Sequence, residues 1–411
     1  MNKLFIIGNG FDLAHGYPTA YADFVKWIWN NIHRDPTNEK FKNLITINTD
    51  FPFLRQYNEN LKTNINCYSD FLYDFNSYKK HNIGIDSFDL NAKYRRIDIY
   101  NFKNKFFFEL CLYFPDAKWS DIESLFYKIL TDLLTGNRST SRIDIDTLNK
   151  NLEEIKSLFS TYLLENVKYT EFSFKMPFPD LLRYKSKNLN EKNHSKEAAN
   201  YLNEFPKILK NQLVNFDVVV QSAEMYKSWE KSTIVPQTLI LDFNYTDTVN
   251  KYINSAINRN SFEYGVIEHI KIHGALNDPN NPINLGFGDE MDDHYKTLEK
   301  KNDNRYLSYI KSFMYSNNTN YRKLLNWIES HDFQVFILGH SCGLSDRIML
   351  NTIFEHERCN SIKLYYYEYE ENGIFKDDFT DKVQNISRHF NKKKQMRDRI
   401  VDKSISQPLK V

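Results

Sequence analysis

Four short stretches of the chain carry residue types that can do chemistry. The first is Gly8-Asn9-Gly10-Phe11-Asp12, which directly follows the apolar run Lys3–Ile7. A strand that feeds a glycine turn brings backbone N–H groups together where they can cradle a phosphate. Leu13 stands where the dinucleotide fingerprint G-x-G-x-x-G has its third glycine, so a tight turn that needs two glycines is an equally plain reading. The second is Asn244, at the end of Thr238-Leu239-Ile240-Leu241-Asp242-Phe243. Its carboxamide both donates and accepts, and can orient a ribose hydroxyl or a water; a capping asparagine is the alternative. The third is His273, just past Ile270-Lys271-Ile272 and before Gly274, where an imidazole can act as a general base or serve structure alone. His269 lies four residues earlier, but no Cys or carboxylate spacing supports a metal site, and none is expected.

The fourth stretch, Gly339-His340-Ser341-Cys342-Gly343, fits the G-x-S-x-G nucleophile elbow and comes after the apolar run Phe333–Leu338. Two details oppose a serine hydrolase. Ser345-Asp346 reads as the cap of the next helix, too late for an elbow, and the histidines downstream are His356, inside a helix pattern, and His389, in a basic tail. Gly286-Phe287-Gly288-Asp289-Glu290, with Asp292 and Asp293, reads as a solvated acidic loop, with a ligand contact as the other reading.

Periodicity indicates the elements that must hold these residues. Eight of the 12 glycines fall in the windows 8–16, 274–288 and 339–343, which marks those loops as places of tight turning or close approach. Apolar strand patterns at Lys3–Ile7, Thr238–Asn244, Ile267–His273, Phe333–Leu338 and Ile362–Tyr369 alternate with helix patterns at Asp346–His356 and Phe379–Phe390. Short strands with few polar residues belong in a sheet covered on both faces. The expected fold class is therefore α/β, a Rossmann-like parallel sheet with a large, mainly helical insertion. The sheet domain is expected over 1–40 and 233–411 and the insertion over 41–232; a helix from about Thr19 carries Phe24, Trp27 and Ile28 on one face. Residues from about 40 to 88 show no clear periodicity, and Lys185–Lys196 reads as a surface loop.

Composition narrows the class of protein. Across 411 residues, 54 Lys and Arg balance 53 Asp and Glu, so no overall field draws the chain to nucleic acid or membrane. No apolar run is long enough to span a bilayer, and the chain enters a strand pattern at once, without a secretory signal pattern. Cys67, Cys111, Cys342 and Cys359 have neither metal-ligand spacing nor disulfide density, and the expected setting is cytoplasmic. Residues 382–411 hold nine Lys and Arg against two Asp, read as a solvated helix or as a contact for nucleic acid or another acidic partner.

Taken together, the motifs resemble the bacteriophage abortive-infection AbiH family. The resemblance rests on Ile7–Thr19, Phe243-Asn244-Tyr245-Thr246-Asp247-Thr248, His273-Gly274-Ala275-Leu276-Asn277-Asp278 and Gly286–Glu290. Gly339-His340-Ser341, Leu344-Ser345-Asp346 and Trp119-Ser120-Asp121-Ile122-Glu123 complete it. More distantly, the order of parts is similar to sirtuin-like NAD-binding domains. That second resemblance implies NAD as substrate, with Asn244 and His273 as the residues of cleavage to nicotinamide and ADP-ribose. Gly8, Asn9, Gly10, Phe11, Asp12, Gly339 and Ser341 become the nucleotide contacts, and Asp12 could stabilise positive charge on the sugar. Asp12 departs from the small hydroxyl residue usual in those loops, and the Cys-pair zinc module of deacetylating sirtuins is absent, which argues against protein deacetylation. A phage-derived trigger and self-association are further expected partners. A nucleotide sensor without turnover and a serine hydrolase built on Ser341 are the competing functions.

Overall fold

The computed structural model describes residues 1–47, 100–113, 119–136, 143–169, 177–230, 232, 234–256 and 261–409. Its centre is a six-stranded, wholly parallel sheet. The strands are β1 (Asn2–Ile7), β2 (Gln237–Asp242), β3 (Val266–Lys271), β4 (Phe333–Leu338), β5 (Cys359–Tyr366) and β6 (Gln407–Pro408). In space they run β6-β5-β4-β1-β2-β3. The chain builds outward from β1 on one side, then returns past it to build the other, which is the doubly wound Rossmann order with its reversal between β1 and β4.

Alternation along each strand explains why the sheet is apolar on both faces. Leu4, Ile6, Leu239, Leu241, Val335, Ile337, Ile362 and Leu364 pack on one side with Trp327, Met349, Ile353 and Ile386 from covering helices. Phe5, Ile7, Ile240, Phe336 and Leu338 pack on the other with Phe178, Leu182, Val249 and Tyr252. Phe5 stacks on Phe336 and meets Phe178 edge-on, joining β1, β4 and the helix Phe178–Leu182. The expected strands are all present, each ending within a few residues of its predicted bound.

Two compact units divide the chain. The sheet unit comprises 1–18, 167–292 and 309–411, and the second comprises 19–166 and 293–308. The second unit is mainly helical, with Tyr21–Arg34, Lys105–Tyr113, Trp119–Thr135 and Ile145–Asn166 as its longer helices. Phe24 and Trp27, expected on one helix face, both pack against Tyr162. Residues 19–40 group with this unit and residues 167–232 with the sheet, so the units part from the expected boundaries in both places. The reason for the latter is visible in Phe178 and Leu182, which are fully buried against the sheet.

The basic tail is not a simple solvated helix. It forms Phe379–His389 and Lys393–Arg399, and then the edge strand β6. Lys382 is buried and paired with Asp378, and Arg399 donates from Nη1 to the Phe354 carbonyl. Much of the region expected at 40–88 lies outside the described residues. Among the described residues no helix is long and apolar enough to cross a membrane.

Candidate functional site

The candidate residues gather at the carboxyl edge of the sheet, where open α/β folds place their ligands. After β1 the chain passes through Gly8 into a one-and-a-half-turn helix, Asn9–Ala14, rather than an open loop. The Gly8 N–H donates to the Leu338 carbonyl at 3.0 Å and the Gly10 N–H to the Gly339 carbonyl at 2.8 Å. A Cβ on Gly8 would fall 2.5 Å from the His340 Cα, and one on Gly10 would fall 2.8 Å from the Gly339 Cα. Gly339 itself sits at φ +71°, with Phe11 N only 2.2 Å from where its own Cβ would be. The two glycine turns therefore lie backbone to backbone across the β1/β4 reversal. This corrects the expected phosphate cradle: the N–H groups of Gly8 and Gly10 are committed inside the protein. Phe11 is likewise a core residue, packed against Phe178 and Tyr252. Asn9 is half-buried at the start of the short helix.

Asp12, on that same helix, is almost wholly buried. Its Oδ2 accepts the Thr246 hydroxyl at 2.6 Å, while Oδ1 is buried without a partner. Burial pushes the carboxyl up to about 7, and the nearby Asp242 adds to the rise against the hydroxyls of Thr246 and Thr248. Asp12 is thus held between its two protonation states near neutrality.

β2 ends in Asp242, whose two oxygens brace both the loop after β2 and the neighbouring strand. Oδ1 accepts the Asn244 N–H at 3.0 Å, and Oδ2 lies 3.1 Å from His269 Nε2. His269 in turn meets Asn250 Oδ1 through Nδ1. This explains His269 without a metal; among the described residues no group of His, Cys, Asp and Glu could hold one. Asn244 is buried, and its Nδ2 donates to the Gly8 carbonyl at 3.1 Å. That bond ties the end of β2 to the end of β1 and fixes the amide, leaving Oδ1 as an acceptor with no partner among the described residues.

His273 lies just beyond β3 and is buried against the Phe243 ring, with centroids 4.7 Å apart. His340 meets the same phenylalanine at 4.3 Å. Phe243 thereby brings the ends of β2, β3 and β4 into one cluster. His273 Nε2 lies 3.0 Å from Asp346 Oδ1, and the same oxygen receives Lys311 Nζ at 2.8 Å. His340 Nε2 is 3.7 Å from Asp346 Oδ2, and its Nδ1 accepts the Cys342 N–H. Lys311 is wholly buried, and with His273 and His340 it holds the Asp346 carboxyl well below the usual range in spite of burial. Burial pushes His340 down to about 3, so its ring is neutral.

Asp346 was legible only as a helix cap. It does stand at the N-cap of Arg347–Phe354, but its side chain caps nothing and turns to the ion cluster instead. Lys311 carried no sequence signal at all. It is set by the Gly286–Gly288 run: the Phe287 N–H donates to the Tyr309 carbonyl and the Lys311 N–H to the Phe287 carbonyl. The acidic stretch after that run is not simply solvated, because Asp289 is buried and accepts Arg347 Nη1 at 3.1 Å.

Ser341 stands apart from these groups. It is exposed, and its carbonyl takes the Asn385 amide. His389 directs Nε2 at the Cys342 carbonyl, and His356 pairs with Glu329, so neither assists the Ser341 hydroxyl. Beside Gly339, Cys342 also takes a left-handed backbone in this turn, at φ +52°, and burial pushes its thiol up to about 12. A strained but buried thiol beside an exposed, unassisted serine is not a hydrolase elbow.

The fold and the edge cluster define a doubly wound α/β unit of Rossmann-like type, joined in one chain to a second, helical unit. The chain belongs to the bacteriophage abortive infection AbiH family, whose profile matches residues 4–368. No curated protein matches the chain.

Proposed function

We propose that the protein acts in abortive infection by hydrolysing NAD to nicotinamide and ADP-ribose at the carboxyl edge of the sheet. The family supports the defence role. The chemistry is supported by one observation above the others: Asn244 and His273 end adjacent parallel strands, each braced by the protein, each with one polar atom left over. For Asn244 that atom is Oδ1, an acceptor for a ribose hydroxyl or the attacking water. For His273 it is Nδ1, because Nε2 faces Asp346. In the reaction the bond from the anomeric carbon to the pyridinium nitrogen breaks and its electron pair stays on nitrogen. The water oxygen bonds to that carbon and its proton passes to His273 Nδ1, a general-base contribution of about 10²–10⁴ in rate. Asp12, charged in part near neutrality, adds negative potential near the sugar's developing positive charge. No phosphate is assigned to Gly8 or Gly10, whose N–H groups are already bonded.

The test is NAD loss with purified protein, with nicotinamide and ADP-ribose separated by chromatography, beside Asn244→Ala and His273→Ala. Turnover by wild type alone, with all three folded, is the expected result. Turnover by either variant at the wild-type rate would remove that residue from the mechanism. Saturable NAD binding without product, in purified protein and in infected cells, would favour a sensor.

A further inference from the structure

The buried trio His273, Asp346 and Lys311 has more organisation than an ion pair needs. A lysine with no solvent exposure and a carboxylate beside it are expensive to desolvate, and an apolar pair would fill the same space. Asp346 also forgoes the use its position offers, since a residue at a helix N-cap ordinarily turns its oxygen to the first N–H groups. Instead Oδ1 is shared between Lys311 Nζ at 2.8 Å and His273 Nε2 at 3.0 Å. The second oxygen is 3.7 Å from His340 Nε2. That nitrogen carries the proton of the neutral ring, because Nδ1 accepts from the Cys342 N–H.

We infer that Asp346 is the positioning residue for His273, fixing the imidazole as its Nε2–H tautomer so that Nδ1 presents a lone pair to the reactants, and that Lys311 keeps Asp346 ionised for this purpose. The inference rests on the reading of His273 as the base. The physical need is plain: a neutral imidazole has one basic nitrogen, and the hydrogen bond made by the other decides which. The charged and titratable groups near the carboxylate among the described residues agree with that assignment. They include Cys342, whose thiol stays protonated as burial pushes it up to about 12, and His389, which burial pushes down to about 4 and whose Nε2 faces the Cys342 carbonyl. Lys311 can only donate, His340 is neutral with its proton toward Asp346, and Lys382 lies close enough to add positive potential around His340. Tyr315, whose hydroxyl is 3.5 Å from His273 Nε2, is the remaining titratable neighbour of the ring. Removing the negative charge at 346 therefore removes what selects the tautomer, while leaving the ring's apolar support on Phe243 in place.

The full chain, with ¹⁵N-labelled histidine, gives the tautomer directly from the Nδ1 and Nε2 shifts, with the His273 signal assigned by its loss in His273→Gln. Wild type is expected in the Nε2–H form. Asp346→Asn is expected to show a mixed or reversed tautomer and a fall of about 10²–10⁴-fold in NAD turnover, with little change in KM. Because Asn at 346 takes away the carboxylate that balances the buried Lys311 charge, the double variant Asp346→Asn/Lys311→Met supplies a neutral core that folds and is expected to show the same loss. A wild-type Nδ1–H tautomer overturns the inference, as does an unchanged tautomer in the folded double variant. Failure of the NADase reading shows separately, as turnover that survives His273→Ala, and leaves the tautomer result standing as a statement about Asp346 alone.

Discussion

The Asp12 carboxyl offers a measurement that needs no substrate. Its Oδ1 is buried without a partner and its Oδ2 accepts one hydroxyl, so burial outweighs hydrogen bonding and the group titrates at about 7 rather than 3.8. The folded chain therefore binds this proton more tightly than the unfolded chain does. The stabilising contribution is complete below about pH 4, declines as pH rises, and is gone above about 7. A difference of about three pK units corresponds to about 4 kcal/mol, an upper value because partial water entry softens the burial. Asp12→Asn stays neutral throughout, keeps an acceptor for Thr246, and gives the space around Oδ1 an N–H₂ group. The expectation is that mutant-minus-wild-type unfolding free energy becomes more favourable to the mutant from pH 4.5 to pH 8, by up to about 3 kcal/mol, the rest of the change lying below pH 4.5. Urea unfolding at several pH values, followed by fluorescence and by hydrogen exchange of the β1 and β2 amides, measures it. Comparing the two proteins at each pH cancels the titrating groups that do not interact with Asp12. A difference that stays flat across this range would refute the burial argument and return Asp12 to an ordinary, ionised carboxylate.

Three further outcomes are expected from the same geometry. Gly339→Ala puts a Cβ 2.2 Å from Phe11 N on a residue at φ +71°, and is expected to destabilise the fold by about 2–4 kcal/mol in urea unfolding. Ser341→Ala is expected to change stability by less than about 0.5 kcal/mol and to leave NAD turnover intact, because Asn385 holds only the carbonyl there; loss of turnover in the folded variant would restore the serine. Cys342 and Cys359 are buried with their thiols pushed up to about 12, and burial raises the Cys111 thiol well above its ordinary range too. Native protein treated with iodoacetamide at pH 8 should therefore carry no label at these three positions, as read by peptide mass.

The sheet was legible because its strands are apolar on both faces, a pattern that local sequence carries whole; Leu4-Phe5-Ile6-Ile7 is an instance. The ends of β2 and β3 were legible as well, since Asn244 and His273 interrupt apolar runs at the point where a parallel sheet exposes its edge. Their surroundings were not. A glycine announces close approach without naming what approaches, and at Gly8 and Gly10 the neighbour is Gly339 rather than a phosphate. Ser345-Asp346 has the composition of a cap whether or not the side chain caps, and only the fold decides that Asp346 faces His273 and Lys311. Lys311, in a polar stretch, is read as surface until Phe287 pairs with its segment and draws it inside. Ion pairs between residues so far apart in the chain leave no periodic trace.

The meeting of the two glycine turns also sets an order of events during synthesis. β1 is a central strand, yet its partners are β2, which begins at Gln237, and β4, which begins at Phe333. At ribosomal rates of about 5–20 residues per second, its apolar residues wait roughly 10–50 s for the first of them and longer for the second. Gly8 and Gly10 close directly on the turn at Gly339 and His340, so the end of β1 reaches its final packing only after β4 has been made. β1 therefore stays unpaired until the segment that carries β2 has been made, so the burial of Leu4, Phe5, Ile6 and Ile7 in the sheet comes late relative to their synthesis.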